Sequence, residues 1–228
     1  MLISLFRASL SFGQFMAILV AYLAVLLISF SMHEFAHAFV AYKNGDPTAK
    51  VMGRMTVNPF AHINVYGFVC LIIFGFGWAN PVPINPYNFN RGKRSMFSVA
   101  VAGILANLSL ALIFTFIYSL IGTIDLNILN STSFGSVWLN YFLIYGVEIN
   151  ICLAFFNLLP FYPLDGSKIL ELILKPTNGF LQFLQKYSTL ILLMLICFNV
   201  INFIMQYVLY FMELGMLTMW TSLFNLFK

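Results

Sequence analysis

The residues best suited to chemistry are two histidines and a glutamate in the run 31–37, where His33, Glu34 and His37 form the pattern H-E-x-x-H. On a helix, residues four positions apart share one face, so both imidazoles can reach a single metal ion. Glu34 then lies beside the ion, where its carboxylate can take a proton from a bound water. The pattern predicts a metal ion held by His33 and His37, with Glu34 as the base.

A second interpretation treats these side chains as a hydrogen-bond network or a proton relay, as ionisable groups inside membranes often are. The surrounding segment is strongly apolar, so two histidines and a glutamate are costly there unless they are paired or bound to a metal. A network does not require the H-E-x-x-H spacing. The spacing therefore favours the metal site.

Catalytic zinc sites usually take three protein ligands and leave the fourth position to water. The chain has seven acidic residues and one further histidine, so candidates for the third ligand are few. Asp165 follows Pro160 and Pro163 and precedes Gly166, a run that ends a helix beside an apolar segment. Broken helices at membrane depth line cavities. We predict Asp165 as the third ligand, with a simple Asp-Gly turn as the alternative.

Depth in the membrane agrees with this choice. His37 lies five residues before Tyr42, where the first apolar segment ends. At 1.5 Å per residue it is therefore roughly 7 to 8 Å inside the membrane edge. Asp165 follows the end of another apolar segment that we assign to the same side. The two side chains can meet in a cavity open to that side.

Two further polar residues lie near the predicted site in the sequence. Asn157, eight residues before Asp165, can donate a hydrogen bond to the oxyanion that develops during hydrolysis. A capping or interhelical role explains Asn157 nearly as well. His62 is a lone histidine in a turn-rich loop, and we interpret it as a structural residue outside the site.

Composition predicts a membrane protein. Hydrophobic residues make up 61% of the chain and charged residues 8%, against roughly a quarter charged in soluble domains. The 11 basic residues form no dense run, which argues against nucleic acid as a partner. The three cysteines lie in apolar segments without zinc-finger spacing. We expect residues 1–228 to form a single integral-membrane domain.

Apolar segments of about 20 residues can cross the bilayer as helices. A shorter apolar stretch, 63–79, contains glycines and is followed by prolines, which predicts a re-entrant segment or a β-hairpin. The sequence thus predicts an all-α membrane protein with about four transmembrane helices plus this short segment. The predicted spans are 14–42, 95–121, 134–159 and 189–214.

Loop charges predict the topology, because short cytoplasmic loops collect lysine and arginine. Basic residues flank 63–79 on both sides and recur in 160–188, whereas 122–133 carries Asp125 and no basic residue. Four spans with both termini outside satisfy every loop. The predicted site then opens toward the cytoplasm.

The segment 157–166 resembles the N-x-x-P-x-x-P-L-D-G signature of the site-2 protease family, in which an L-D-G aspartate joins an H-E-x-x-H helix. Further matches at 45–49, 58–62 and 77–83 resemble the small bacterial and archaeal branch that lacks a PDZ domain. Two departures are visible. Ile104 replaces the proline of A-G-P, and Asn64 replaces the aspartate of H-I-D-P, but neither position is a proposed ligand.

The resemblance implies an intramembrane zinc metalloprotease of a prokaryotic cell membrane, with one Zn²⁺ per chain. Its partners would be the lipid bilayer and a membrane-spanning protein or peptide substrate. The resemblance also implies that Asn157 assists the transition state. A substrate helix must unwind before cleavage, and 63–79 is a plausible edge for the unwound segment to pair with.

Two other function classes are alternatives to the protease. A catalytically silent protein could bind membrane helices, but Glu34 and all three predicted ligands are present. A zinc or proton transporter needs polar groups across the whole bilayer. The residues 15–28 are almost purely apolar, which argues against a transporter.

Overall fold

The computed structural model describes residues 10–74, 80–125 and 127–226, and these residues are mainly helical. Nine α-helices lie within them, together with short 3₁₀ turns at Pro59–Ala61 and Pro86–Asn88. The prediction of an all-α protein is confirmed. The helices are α1 (Phe12–Lys43), α2 (Thr48–Val51), α3 (Val65–Phe74), α4 (Lys93–Ile124), α5 (Asn127–Asn130), α6 (Phe134–Leu158), α7 (Asp165–Ile173), α8 (Gly179–Cys197) and α9 (Val200–Asn225).

Helices α1, α4, α6, α8 and α9 are long and apolar enough to cross a membrane, with lengths of 19 to 32 residues. The chain is therefore a multi-pass membrane protein. The helices α1, α4 and α6 contact one another and form the centre of the molecule. Helix α9 is peripheral, because 6% of its most apolar window is buried, against 44% for α4.

The structure differs from the expectation in the last predicted span. In place of one helix over 189–214, α8 ends at Cys197 and α9 begins at Val200. Asn199 separates them with φ of 61°, a left-handed conformation that asparagine adopts more readily than most residues. The segment 189–214 carries only scattered polar residues, so its hydropathy did not distinguish one helix from two. If all five helices cross the membrane, the two termini lie on opposite sides, whereas we expected both outside.

The stretch 63–79 begins as a helix, since α3 covers Val65–Phe74. The β-hairpin alternative is wrong for those residues, and 75–79 lies outside the described residues. The two ends of the stretch meet, because the Asn80 backbone N–H donates to the His62 carbonyl at 2.8 Å. The Asn80 side-chain amide donates to the Ile63 carbonyl at 3.0 Å. The chain thus enters and leaves at one level, as a re-entrant segment does.

A buried stripe on α1 explains where the histidines point. Every fourth residue along this helix is at most 6% exposed, and the stripe faces the centre of the three-helix core. Small side chains on such a stripe let membrane helices approach closely. The stripe consists of Ala17, Ala21, Val25, Ser29, His33, His37 and Ala41. Its helical spacing carries both imidazoles into the interior.

Candidate metal centre

The two α1 histidines lie one helical turn apart with their rings close together. The ring centroids of His33 and His37 are 4.6 Å apart, and their Nε2 atoms are 3.0 Å apart. Both residues are buried, with 6% and 3% of their surfaces exposed. The structure therefore brings the H-E-x-x-H histidines together as the spacing predicts.

Asp165, the first residue of α7, reaches the same point from the other side. Its Oδ2 atom is 3.2 Å from Nε2 of His33 and 2.9 Å from Nε2 of His37. One ligand atom from each of the three residues lies within 4.8 Å of the others. The predicted third ligand is thus placed against both histidines, 128 residues away from His37 in the chain.

Gly166 allows this approach. A Cβ atom at Gly166 would collide with the backbone carbonyl oxygens of Leu158 and Leu159. No side chain fits there, so only glycine lets the start of α7 abut the end of α6. In the L-D-G motif, the aspartate is therefore the predicted ligand, and the glycine allows α7 to pack closely against α6.

The Asp165 carboxylate is held in its charged form. Burial alone would raise the pKa of Asp165, but His33 and His37 outweigh it, and Lys168 adds a further attraction, so the pKa is held well below its usual range. The Lys168 Nζ atom lies 2.9 Å from Oδ1 of Asp165. Oδ2, which faces the histidines, is therefore left as the oxygen available to a metal.

Helix α4 supports the histidines from one face, on which Val99, Gly103 and Asn107 are spaced four residues apart. The Val99 carbonyl lies 2.7 Å from Nδ1 of His37, and Oδ1 of Asn107 lies 2.6 Å from Nδ1 of His33. A Cβ atom on Gly103 would lie 2.5 Å from atoms of both imidazoles. This face of α4 both contacts the rings and leaves room for them.

Neither Gly103 nor Asn107 was predicted as a site residue. They lie on either side of Ile104, which departs from the A-G-P pattern. The sequence did contain a signal for these residues. A glycine and an amide four residues apart inside an apolar span indicate that another helix packs closely there and offers the amide a polar partner. What the sequence could not supply was that this face of α4 meets α1.

The donor set suits a metal ion. The Val99 carbonyl can only accept, so Nδ1 of His37 must carry the proton, and in the neutral ring Nε2 keeps its lone pair. Such an Nε2, beside a second imidazole nitrogen and a carboxylate oxygen, needs a cation. Zinc bonded at about 2.0 to 2.1 Å in a tetrahedron holds its donors about 3.3 Å apart. The observed separations of 2.9 to 3.2 Å are close to that value.

Glu34 is aimed by a loop. Its Oε2 atom accepts a hydrogen bond of 2.8 Å from the backbone N–H of Val82, and the residue as a whole is 9% exposed. Val82 stands between Pro81 and Pro83, neither of which has an N–H. Within this tripeptide, Val82 is therefore the single backbone donor.

The loop that carries Val82 is fixed at several points. Arg54 donates to the Asn80 carbonyl at 2.8 Å. Buried Asp46 accepts from the Asn85 backbone N–H at 2.7 Å and from the Asn88 side-chain amide at 2.8 Å. We call residues 80–90 the strap. It links the end of α1 to the carboxylate of Glu34.

The charge on Asp46 is stabilised by these contacts. Burial alone would raise the pKa of Asp46, but hydrogen bonds from Thr48, Asn88 and Asn85 lower the pKa below its usual value. Asp46 belongs to the run 45–49, which resembles the same run in the small bacterial and archaeal branch of the family. Its role in holding the strap became visible only in the structure.

Asn157 and His62, the two other polar residues singled out from the sequence, make their hydrogen bonds outside the ligand cluster. The Asn157 amide donates to the Leu153 carbonyl of its own helix at 2.9 Å, so its part in the transition state stays a prediction. His62 is 1% exposed, and its Nε2 lies 2.8 Å from the Thr56 carbonyl. That contact belongs to the loop before α3, as expected for a structural histidine.

Comparisons with known proteins agree with the motifs. Two curated relatives carry zinc metalloprotease names. The protein named "Putative zinc metalloprotease YwhC" from Bacillus subtilis is 39% identical over 182 residues, which cover 75% of this chain and 82% of the relative. "Putative zinc metalloprotease MJ0611" from Methanocaldococcus jannaschii is 31% identical over 143 residues, or 62% of this chain and 64% of the relative. No solved structure matches.

The profile of peptidase family M50 matches residues 21–201. This range contains α1, which carries the H-E-x-x-H motif, and the L-D-G aspartate at the start of α7. It also contains the α4 face that supports the histidines. The chain therefore belongs to peptidase family M50, the site-2 protease family that its motifs resemble.

Proposed function

We propose that this protein is an intramembrane zinc endopeptidase that hydrolyses peptide bonds of membrane-spanning proteins with a metal-activated water. The observation that carries the proposal is the convergence of His33, His37 and Asp165, with Glu34 next to His33 on the same helix. His33, His37 and Asp165 act as zinc ligands and Glu34 as the general base. The names of the curated relatives support zinc as the metal.

The chemistry follows from these residues. Bound zinc would polarise the scissile carbonyl and lower the pKa of a water toward about 7. Glu34 takes the water proton and returns it to the leaving amine, without a covalent intermediate. The Val82 N–H occupies Oε2 of Glu34 and so leaves Oε1 to handle the proton. Asn157 is proposed as a donor to the oxyanion.

The location of the substrate follows from the membrane setting. The cluster lies between α1, α4 and the start of α7, near the end of α1 at which Lys43 stands. Loop charges support a cytoplasmic opening, and the bacterial and archaeal sources of the two relatives support a prokaryotic cell membrane. Substrates are therefore proposed to be membrane-spanning segments that unwind near the cytoplasmic side.

The edge proposed for substrate pairing changes with the structure. We expected 63–79 to offer a free backbone edge, but α3 is helical over 65–74 and its backbone groups are paired within the helix. The stretch beside Glu34 is the strap, and Val82 on it is already hydrogen-bonded to that carboxylate.

The rival functions gain no support from the packing. A transporter needs a polar path across the membrane, yet Ala17, Ala21 and Val25 on the buried stripe of α1 are fully buried and apolar. A silent helix-binding protein would not need a carboxylate positioned beside the histidines. The packing and the placement of Glu34 both favour hydrolysis.

The test compares the wild-type protein with Glu34→Gln, purified in detergent and given single-span substrates. Bound zinc and cleavage are measured on the same samples. Zinc in both proteins, with chelator-sensitive cleavage in the wild type alone, is expected. Absence of zinc from the wild type, or equal cleavage by the two proteins, would overturn the proposal.

A further inference from the structure

A chain of buried amides joins His33 to two other membrane helices. Nδ1 of His33 lies 2.6 Å from Oδ1 of Asn107 on α4. Nδ2 of Asn107 donates to Oδ1 of Asn150 on α6 at 2.8 Å. Nδ2 of Asn150 donates to the Gly146 carbonyl at 2.8 Å and to the Ser29 hydroxyl at 2.9 Å. These hydrogen bonds therefore link α1 to α4, α4 to α6, and α6 back to α1.

The direction of every hydrogen bond in this chain is set at one end. The Gly146 carbonyl can only accept, so the Asn150 atom facing it must be the amide nitrogen. The Asn150 oxygen must then face Asn107, which requires the Asn107 nitrogen on that side. The Asn107 oxygen is left facing His33. Reversing either amide would place two acceptors or two donors in contact.

This arrangement determines which ring nitrogen of His33 carries the proton. Its Nδ1 atom faces an acceptor, so Nδ1 carries the proton, and the neutral ring has its lone pair on Nε2. Nε2 is the atom that faces Asp165 and His37. We propose that Asn107 is a positioning residue that fixes the tautomer and ring orientation of His33 for metal binding, and that Asn150 fixes the orientation of Asn107.

The two histidines thus have the same tautomer, with the proton on Nδ1, but different groups accept that proton. A backbone carbonyl of α4, that of Val99, faces Nδ1 of His37 directly. His33 depends on a side chain, Asn107, which can rotate and is held by Asn150. Both amides are fully buried. A single substitution can therefore remove the acceptor that sets the tautomer of His33. The acceptor for His37 is a backbone carbonyl, which a side-chain substitution does not remove.

A purely structural role would also explain buried amides, since such groups join membrane helices through hydrogen bonds. Two substitutions separate these roles. Asn107→Leu and Asn107→Asp both remove the amide donor to Asn150. Asn107→Asp disturbs that link at least as strongly, because it places a carboxylate oxygen against the acceptor Oδ1 of Asn150. Asn107→Asp retains an acceptor for His33, and Asn107→Leu does not. The difference between the two variants therefore isolates the contact with His33.

The readout is zinc affinity, measured by competition with a chelator in detergent, together with the absorption spectrum of the Co²⁺-substituted protein. Asn107→Leu is expected to weaken zinc binding roughly 10- to 100-fold, the usual effect of losing such a partner, and to change the Co²⁺ spectrum. Asn107→Asp is expected to stay within a few-fold of the wild type. Equal loss in both variants would overturn the proposal.

A second measurement needs no substitution. The chain has three histidines, so ¹⁵N spectra of histidine-labelled, zinc-loaded wild-type protein can be assigned with His33→Gln as a reference. We expect His33 to carry its proton on Nδ1 and to bind zinc through Nε2; zinc bound through Nδ1 would contradict the proposal. The inference rests on the proposed function through the metal alone. Neither readout uses cleavage, so a protein that binds zinc but cuts nothing would refute the protease and leave this inference standing.

Discussion

The ligands and the base of the proposed site are adjacent in sequence but are held by different kinds of structure. His33 and His37 contact Val99, Gly103 and Asn107, which lie on one face of a 32-residue helix in the core. The base, Glu34, is held by one backbone N–H from the strap. Neighbours on one helix thus depend on a packed bundle in one case and on a loop in the other.

The difference suggests that metal binding and proton transfer can be disturbed separately. The face of α4 cannot move without unpacking the three-helix core. The strap is fixed at points, chiefly by Arg54 and Asp46, and it can shift while the bundle stays packed. Changes on α4 should therefore remove the metal, whereas changes in the strap should spare the metal and slow the chemistry.

The largest expected effect comes from Gly103→Ala. The added Cβ would lie 2.5 Å from Cε1 of His33 and from Nε2 of His37, so both rings must move from their present positions. We expect zinc affinity to fall on the order of a hundredfold or more, beyond the usual effect of a lost supporting contact. Zinc content after purification and chelator competition measure this loss.

Gly135→Ala is the matched control, because a Cβ atom on Gly135 would meet no atom within 4 Å. This glycine lies in α6, so the same chemical change is made in another membrane helix. Wild-type zinc affinity is expected. If the two alanine variants bind zinc equally well, the close approach of α4 to the histidines does not determine metal binding.

A smaller and different effect is expected from Val82→Pro. Proline removes the N–H that donates to Glu34, and the neighbouring Pro81 and Pro83 already favour an extended backbone. Zinc content should be unchanged. We expect kcat to fall roughly tenfold or more, a part of the 10²- to 10⁴-fold that a positioned acid–base group contributes.

Val82→Ala is the comparison for this effect, since it shortens the side chain and keeps the N–H. Its kcat should fall far less than that of Val82→Pro. Loss of zinc in the proline variant alone would show that the strap supports the metal side too, and the proposed separation would fail. Similar kcat values in the two variants would show that the N–H does not position Glu34.

The sequence alone was sufficient to identify site residues whose chemistry and helical spacing indicate the same role. His33, Glu34 and His37 could be identified because four-residue spacing places both rings on one helix face. Gly103 and Asn107 could not, since their role depends on which face of α4 meets α1. Asn199 shows the same limit for the fold, because a long, mainly apolar segment is predicted as one span whether or not the helix breaks within it.

The smallest expected effect, Asp46→Asn, tests how firmly the strap must be held. Asp46 accepts from the Asn85 N–H and the Asn88 amide through separate oxygens. An asparagine keeps one of these acceptors and loses the other. We expect kcat to fall a few-fold with zinc unchanged, less than for Val82→Pro, because the donor to Glu34 is displaced but remains present.

The pH dependence of stability sharpens this last test. The pKa of Asp46 is lowered in the folded protein, so its contribution to stability is complete above its unfolded pKa, about 3.9, and is lost as pH falls through the lower folded value. Asp46→Asn should therefore lower the thermal unfolding temperature at pH 7 and have less effect near pH 3. Asp125→Asn, at an exposed position in the loop after α4, is the control. If both variants lower the unfolding temperature equally at pH 7, the strap does not depend on the Asp46 carboxylate.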